Sequence, residues 1–90
     1  MYGWTPLHYA ACNGYLDICK LIIDEVSDKN PFNNGGWTPL HYAACDGYLD
    51  VCKLIIKNVD NKHPVTNSGK TPKNLADRWG DVQISQLFEP

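Results

Sequence analysis

Apolar residues between Tyr15 and Glu25 recur at helical spacing, and they are too many for a helix that touches a single neighbour. At about 100° per residue, Leu16, Ile18, Cys19, Ile22, Ile23 and the following Val26 cover a continuous arc of about 160°, which Leu21 widens further. Asp17, Lys20 and Asp24 form the clear polar stripe. The pattern predicts a helix from Tyr15 to about Glu25 that is covered on more than one side. A shorter segment precedes it and carries its own start and stop signals. The Thr5 hydroxyl is placed to accept from an orphan N–H in the first helical turn, and Pro6 lacks the N–H that a first helical position would leave unpaired. Leu7 to Cys12 continue that helix, and Gly14 supplies the left-handed residue that ends it at little cost.

This helix–turn–helix pattern repeats. Gly3-Trp4-Thr5-Pro6 returns as Gly36-Trp37-Thr38-Pro39 and again as Gly69-Lys70-Thr71-Pro72, at a constant interval from Gly3 to Gly36 to Gly69. Residues 3–12 and 36–45 both read GWTPLHYAAC, and 23 of the 33 positions in the two full units are identical. The third unit is shorter than the first two and more polar, as a cap on a stack should be. One domain over residues 1–90 is expected, with repeats at 3–35 and 36–68 and a C-terminal capping repeat at 69–90. A lone helix pair could not bury this much apolar surface, so the units must stack.

A 33-residue unit with Thr-Pro-Leu-His-x-Ala at the start of its first helix resembles the ankyrin repeat, and the resemblance covers essentially the whole chain. It implies an all-α fold, a solenoid of helix-turn-helix units joined by finger loops or β-hairpins that project at about a right angle. The fingers would run from Asn30 to Trp37 and from His63 to Lys70. Val26 and Val59 stand where the family usually places a glycine that caps the second helix. A β-branched residue avoids positive φ, so that helix is expected to run on slightly or, in the second copy, to end through Asn58 and Asp60. In the third unit Lys73, Asn74, Asp77 and Arg78 replace Leu40, His41, Ala44 and Cys45, which lets its outer side face water. Leu75, Ala76, Val82, Ile84, Leu87 and Phe88 keep the apolar pattern that packs back onto the second unit. No comparable polar set stands at the front. Leu7, Ala10 and parts of the second helix are expected to form an apolar flank of the kind that meets an upstream repeat. That flank makes self-association an expectation, and the chain reads alternatively as an excised segment of a longer array in a regulatory or structural protein, or as a consensus-like scaffold.

Charge and chemistry narrow the function. A net charge of −2 and a pI near 5.8, with no run of Lys or Arg, argue against nucleic acid as a partner. Apolar runs such as Leu21-Ile22-Ile23 fall far short of the roughly 20 residues that span a bilayer, so no membrane segment is expected. The first residues do not resemble a secretory signal, which points to an intracellular protein, cytoplasmic or nuclear. His8 and His41 are expected to bond the Thr hydroxyl and a neighbouring loop carbonyl, tying units together. Cys12, Cys19, Cys45 and Cys52 recur at the repeat period as packing residues, with no second pair to complete a zinc tetrahedron. The sequence shows no nucleophile elbow, no phosphate-cradling glycine loop and no paired carboxylates within a predicted cleft, so neither catalysis nor a cofactor or metal is expected.

What remains is surface. The resemblance assigns contact with a protein partner to the fingers and the exposed side of each first helix. The candidates there are Tyr2, Trp4, Asn13, Asn34, Trp37, Asp46, Asn67, Ser68, Lys70, Arg78 and Trp79. Large aromatics bury much area for little lost rotamer freedom, which favours them in binding hot spots. Trp4 and Trp37 recur identically, so packing of finger against finger is an equal alternative for them; Trp79 is the stronger candidate.

Overall fold

The computed structural model describes residues 3–89. Six helices follow one another: α1 (Pro6–Cys12), α2 (Leu16–Glu25), α3 (Pro39–Asp46), α4 (Leu49–Asn58), α5 (Pro72–Arg78) and α6 (Val82–Gln86), with no strand among the described residues. Tyr2 lies outside them.

Each first helix starts through a reciprocal cap. The hydroxyls of Thr5, Thr38 and Thr71 accept from the backbone N–H of His8, His41 and Asn74, whose side chains in turn accept from the threonine N–H. α1 ends at a left-handed Gly14 (φ +71°), and the next N–H, of Tyr15, bonds the Ala10 carbonyl at 3.0 Å. Glycine is needed there for a second reason: a Cβ on Gly14 would lie 2.6 Å from the Tyr48 ring of the next unit. The short turn sends α2 back along α1.

α2 ends differently from the expectation, and α4 agrees with it in part. α2 does not run on past Glu25; Val26 leaves it in extended conformation (φ −104°, ψ 150°). Lys29 curls back instead, its ammonium donating to the carbonyls of Ile23 at 2.8 Å and Val26 at 2.6 Å. A cation on the last carbonyls does there what a left-handed glycine does elsewhere. α4 closes at Asn58, whose Nδ2 donates to the Leu54 carbonyl at 2.8 Å, without a bond from Asp60. Lys62, the counterpart of Lys29 in the second unit, reaches the Leu87 carbonyl at the end of α6.

The helices stack in two rows, α1 on α3 on α5 and α2 on α4 on α6. The core between them is built from small residues of the first helices, Ala10, Ala11, Ala43, Ala44 and Ala76, and larger ones of the second, Cys19, Ile23, Val51, Cys52, Ile55 and Ile84. Alanine lets the first helices approach closely while the branched side chains fill the outer space. Two expectations are corrected. Leu7 and Ala10 are buried, at 1% and 3% exposure, and reach the apolar front flank only as lining of its depressions; its exposed surface comes from Pro6, Tyr9 and Tyr15 and, on the second helix, Ile18 and Leu21. Val82 is 64% exposed and does not pack onto the second unit; it opens α6 and lines a cleft beside Trp79. Leu75, Ala76, Ile84 and Phe88 are buried as expected, and Leu87 half so.

The fingers are tight loops. The Asn33 N–H bonds the Trp37 carbonyl and the Gly36 N–H bonds the Asn33 carbonyl, both at 2.9 Å; Thr66, Lys70 and Gly69 repeat the pattern. Successive fingers are laced together, since Asn67 donates its backbone N–H to the Gly35 carbonyl (3.0 Å) and its Nδ2 to the Asn34 carbonyl (2.9 Å).

Candidate partner-binding surface

The histidines are absorbed by the fold, in the way their setting suggested. His8 Nδ1 accepts from the Thr5 N–H at 3.1 Å, which leaves the proton on Nε2, and Nε2 donates to the Trp37 carbonyl of the next finger at 2.7 Å. His41 repeats this with Thr38 (3.0 Å) and the Lys70 carbonyl (2.9 Å). Burial lowers both pKa values from the usual imidazole range, and the carbonyl partners offset this in part. Both rings are neutral struts between units.

The thiols are packing groups. Burial pushes Cys19 up to about 11 and Cys52, with the Asp81 charge adding to it, up to about 12. Cys12 is half-buried, and burial together with the neighbouring Asp46 raises its pKa; its Sγ donates to Asp46 Oδ2 at 3.6 Å. A thiol so placed is a poor nucleophile.

The sequence candidates fall into two groups. The first lies along the fingers. Trp4 and Trp37 interleave with tyrosines of the first helices in the order Tyr9, Trp4, Tyr42, Trp37. The ring centroids are separated by 4.9, 4.5 and 4.8 Å, in tilted geometry. Asn33 braces this row: its Nδ2 donates to the Tyr42 hydroxyl and its Oδ1 accepts from the N–H groups of Gly35 and Trp37. Both indoles are half-buried. Asn34, Asn67, Ser68 and Lys70 are exposed beside them, with Asn34 and Asn67 already joined to each other. Sequence reasoning missed Tyr9, Tyr42 and Asn33. The tyrosine directly after each His of the Thr-Pro-Leu-His motif was the available signal, because it recurs with the tryptophan.

The second group lies where the first helices turn into the second. Asp46, Cys45, Trp79, Asp81, Val82 and Gln83 line an open cleft of about 520 Å³ between the second and third units. Trp79 caps α5 and is 67% exposed. Asp46 and Arg78 are exposed, and Asn13 caps α1 with its Nδ2 on the Tyr9 carbonyl at 2.8 Å. The geometry gives one aromatic row with polar loop tips and one cleft with an aromatic wall and two carboxylates.

Helix pairs of one design, stacked in register and bridged from unit to unit by a histidine and a finger, define a helical solenoid. A family model of ankyrin repeats, in three copies, matches residues 1–66 and 27–88, and the chain belongs to the ankyrin repeat family. Ankyrin repeats are generally protein–protein interaction modules. A comparison with curated proteins returns no match. No helix among the described residues is long and apolar enough to cross a membrane.

Proposed function

We propose that this chain is a non-catalytic module, a single domain of units 3–35, 36–68 and 69–90, that binds a protein partner across its fingers and first-helix side. The observation that carries the reading is Trp79. A large ring two-thirds in water contributes little to a core, and it stands over a cleft with Asp46 and Asp81. Such a ring is the kind of anchor on which binding energy concentrates. The finger tips, Asn34, Asn67, Ser68 and Lys70, and the cap residues Asn13 and Arg78 supply the polar surround. Trp4 and Trp37 are held half-buried by the tyrosine row and offer rigid edges to a partner. An intracellular location is proposed with it, since four unpaired thiols suit a reducing compartment.

Partner capture with paired variants tests this. Trp79→Ala should lose the proteins that the unchanged chain retains, with affinity for an identified partner falling about 30-fold, the equivalent of about 2 kcal/mol. Lys20→Glu and Lys53→Glu, exposed on the outer side of the second helices, should leave capture unchanged. The reverse pattern, in a Trp79→Ala protein with an unaltered melting curve, would place the partner on the other side of the stack.

A further inference from the structure

The turn between the two helices of a unit meets the next unit in two different ways. Between the first and second units Tyr48 closes the gap, its ring so near Gly14 that a Cβ there would come within 2.6 Å of it. The equivalent residue of the third unit is Asp81, which is too short to reach as far. The space beside Gly47 stays open: a Cβ on that glycine would meet only Asp81 Oδ2, at 3.6 Å. The cleft of about 520 Å³ between the second and third units lies there. A second replacement at the same turn faces it. The position that holds Asn13 in the first unit and Asp46 in the second holds the exposed Trp79 in the third, on the cleft wall. A ring is thus missing from inside this interface and another is added at its edge, where it is accessible from outside.

The charge of the cleft selects what can enter. Asp81 Oδ1 accepts from the Ile84 N–H at 3.1 Å, and its Oδ2 faces the open space beside Gly47. Asp46 receives a weak donor, the Cys12 thiol, at 3.6 Å. Neither carboxylate has a cation beside it, because the ion pair among the described residues joins Lys73 to Asp77. Arg78, next to Trp79 in the chain, is not part of the cleft wall. Given that Trp79 anchors a protein partner, the reading on which this rests, we propose that the cleft takes a basic side chain of that partner. The stem of this side chain lies against the Trp79 indole and its charged head between Asp46 and Asp81. An aromatic ring attracts a cation, and a carboxylate strengthens each hydrogen bond the cation donates. An apolar side chain lodged there would strip both carboxylates of water with no cation in return, and an acidic one would meet two like charges. Arginine suits the cleft best, since a planar guanidinium stacks on a ring and can offer separate N–H groups to two carboxylates.

Three blocked five-residue peptides, glycine and serine around a central arginine, leucine or glutamate, test this on the intact chain by proton–nitrogen NMR. The arginine peptide should move the Trp79 indole N–H and the Gly47 and Gly80 amides and saturate in the roughly millimolar range. The other two should bind at least about tenfold more weakly. Asp46→Asn with Asp81→Asn keeps both side-chain sizes and leaves a residue able to cap α6. This double variant should weaken the arginine peptide by about tenfold, and so should raising the salt from about 0.05 M to about 0.5 M. No shift from the arginine peptide, an equal affinity for the leucine peptide, or binding indifferent to both salt and the double variant overturns the proposal. Partner capture separates it from the reading beneath it. Loss of a partner with Trp79→Ala and with the double variant alike supports both. Loss with Trp79→Ala alone leaves the indole as an apolar anchor and overturns the basic side chain, whereas retention with Trp79→Ala overturns the anchor itself.

Discussion

His41 is held between an N–H that needs an acceptor and a carbonyl that needs a donor, and only the neutral Nε2–H form serves both. A proton on Nδ1 would face the Thr38 N–H 3.0 Å away. The folded pKa values of His41 and His8 therefore lie below the unfolded value of about 6.5. The unfolded chain takes up these protons first, so the stability contributed by the neutral rings is full above about pH 6.5 and is lost as pH falls toward the lower folded values. Denaturant melts between pH 7.5 and pH 5 should show stability falling across that window. His41→Ala should flatten the fall while costing about 3 kcal/mol at pH 7, because it leaves the Thr38 N–H and the Lys70 carbonyl without their partner and opens a hole. An unchanged slope would mean that the rings do not titrate with folding. The strut role of these histidines was legible in the sequence, since Thr-Pro-Leu-His places the ring beside its own cap. The aromatic row was not, because Trp4 meets the Tyr42 of the next unit and no spacing within one unit announces it.

At the scale of the helix, the two ends of each unit obey different rules. Every first helix begins with Thr-Pro and ends at a positive-φ glycine, so its limits follow from local chemistry and were legible residue by residue. The second helices lack that glycine, and their closure depends on a lysine beyond the end in one case and on an asparagine in the other. A long flexible side chain that folds back leaves no fixed spacing in the sequence, which explains why the end at Val26 departs from the expectation, whereas the Asn58 that closes α4 was named by its position. Lys29→Met keeps the aliphatic stem and removes the ammonium. It should destabilise the protein by about 1 kcal/mol, with the faster amide exchange confined to the last turn of α2. Lys62→Met should instead loosen the end of α6, the helix whose Leu87 carbonyl it reaches. Equal effects of both variants on α2 would show that the capping contacts are not the cause.

At the scale of the whole molecule, stability is a sum over units and the interfaces between them, so a change of one side chain matters according to which interface it faces. Position 77 in the third unit and position 44 in the second are equivalent by the repeat period, yet they hold Asp and Ala. Asp77 sits in water with the Ser85 hydroxyl and the Lys73 ammonium as partners, and these hold its carboxyl below the usual range. Ala44 is 1% exposed, and the residues that correspond to Ser85 and Lys73 are Cys52 and Leu40, both fully buried. An Asp at 44 would find neither hydroxyl nor cation there. Ala44→Asp should therefore cost about 3 kcal/mol or more and release α5 and α6 before α1 and α2. Asp77→Ala, at the same place in the repeat but facing solvent, should change stability far less than Ala44→Asp does. Hydrogen exchange resolves the order. Loss of protection at Leu75 and Ile84 ahead of Leu7 and Ile23 in the Ala44→Asp protein is the expected result. Uniform loss would instead mean that the three units unfold as one, and that the interface between the second and third carries no separate share of the stability.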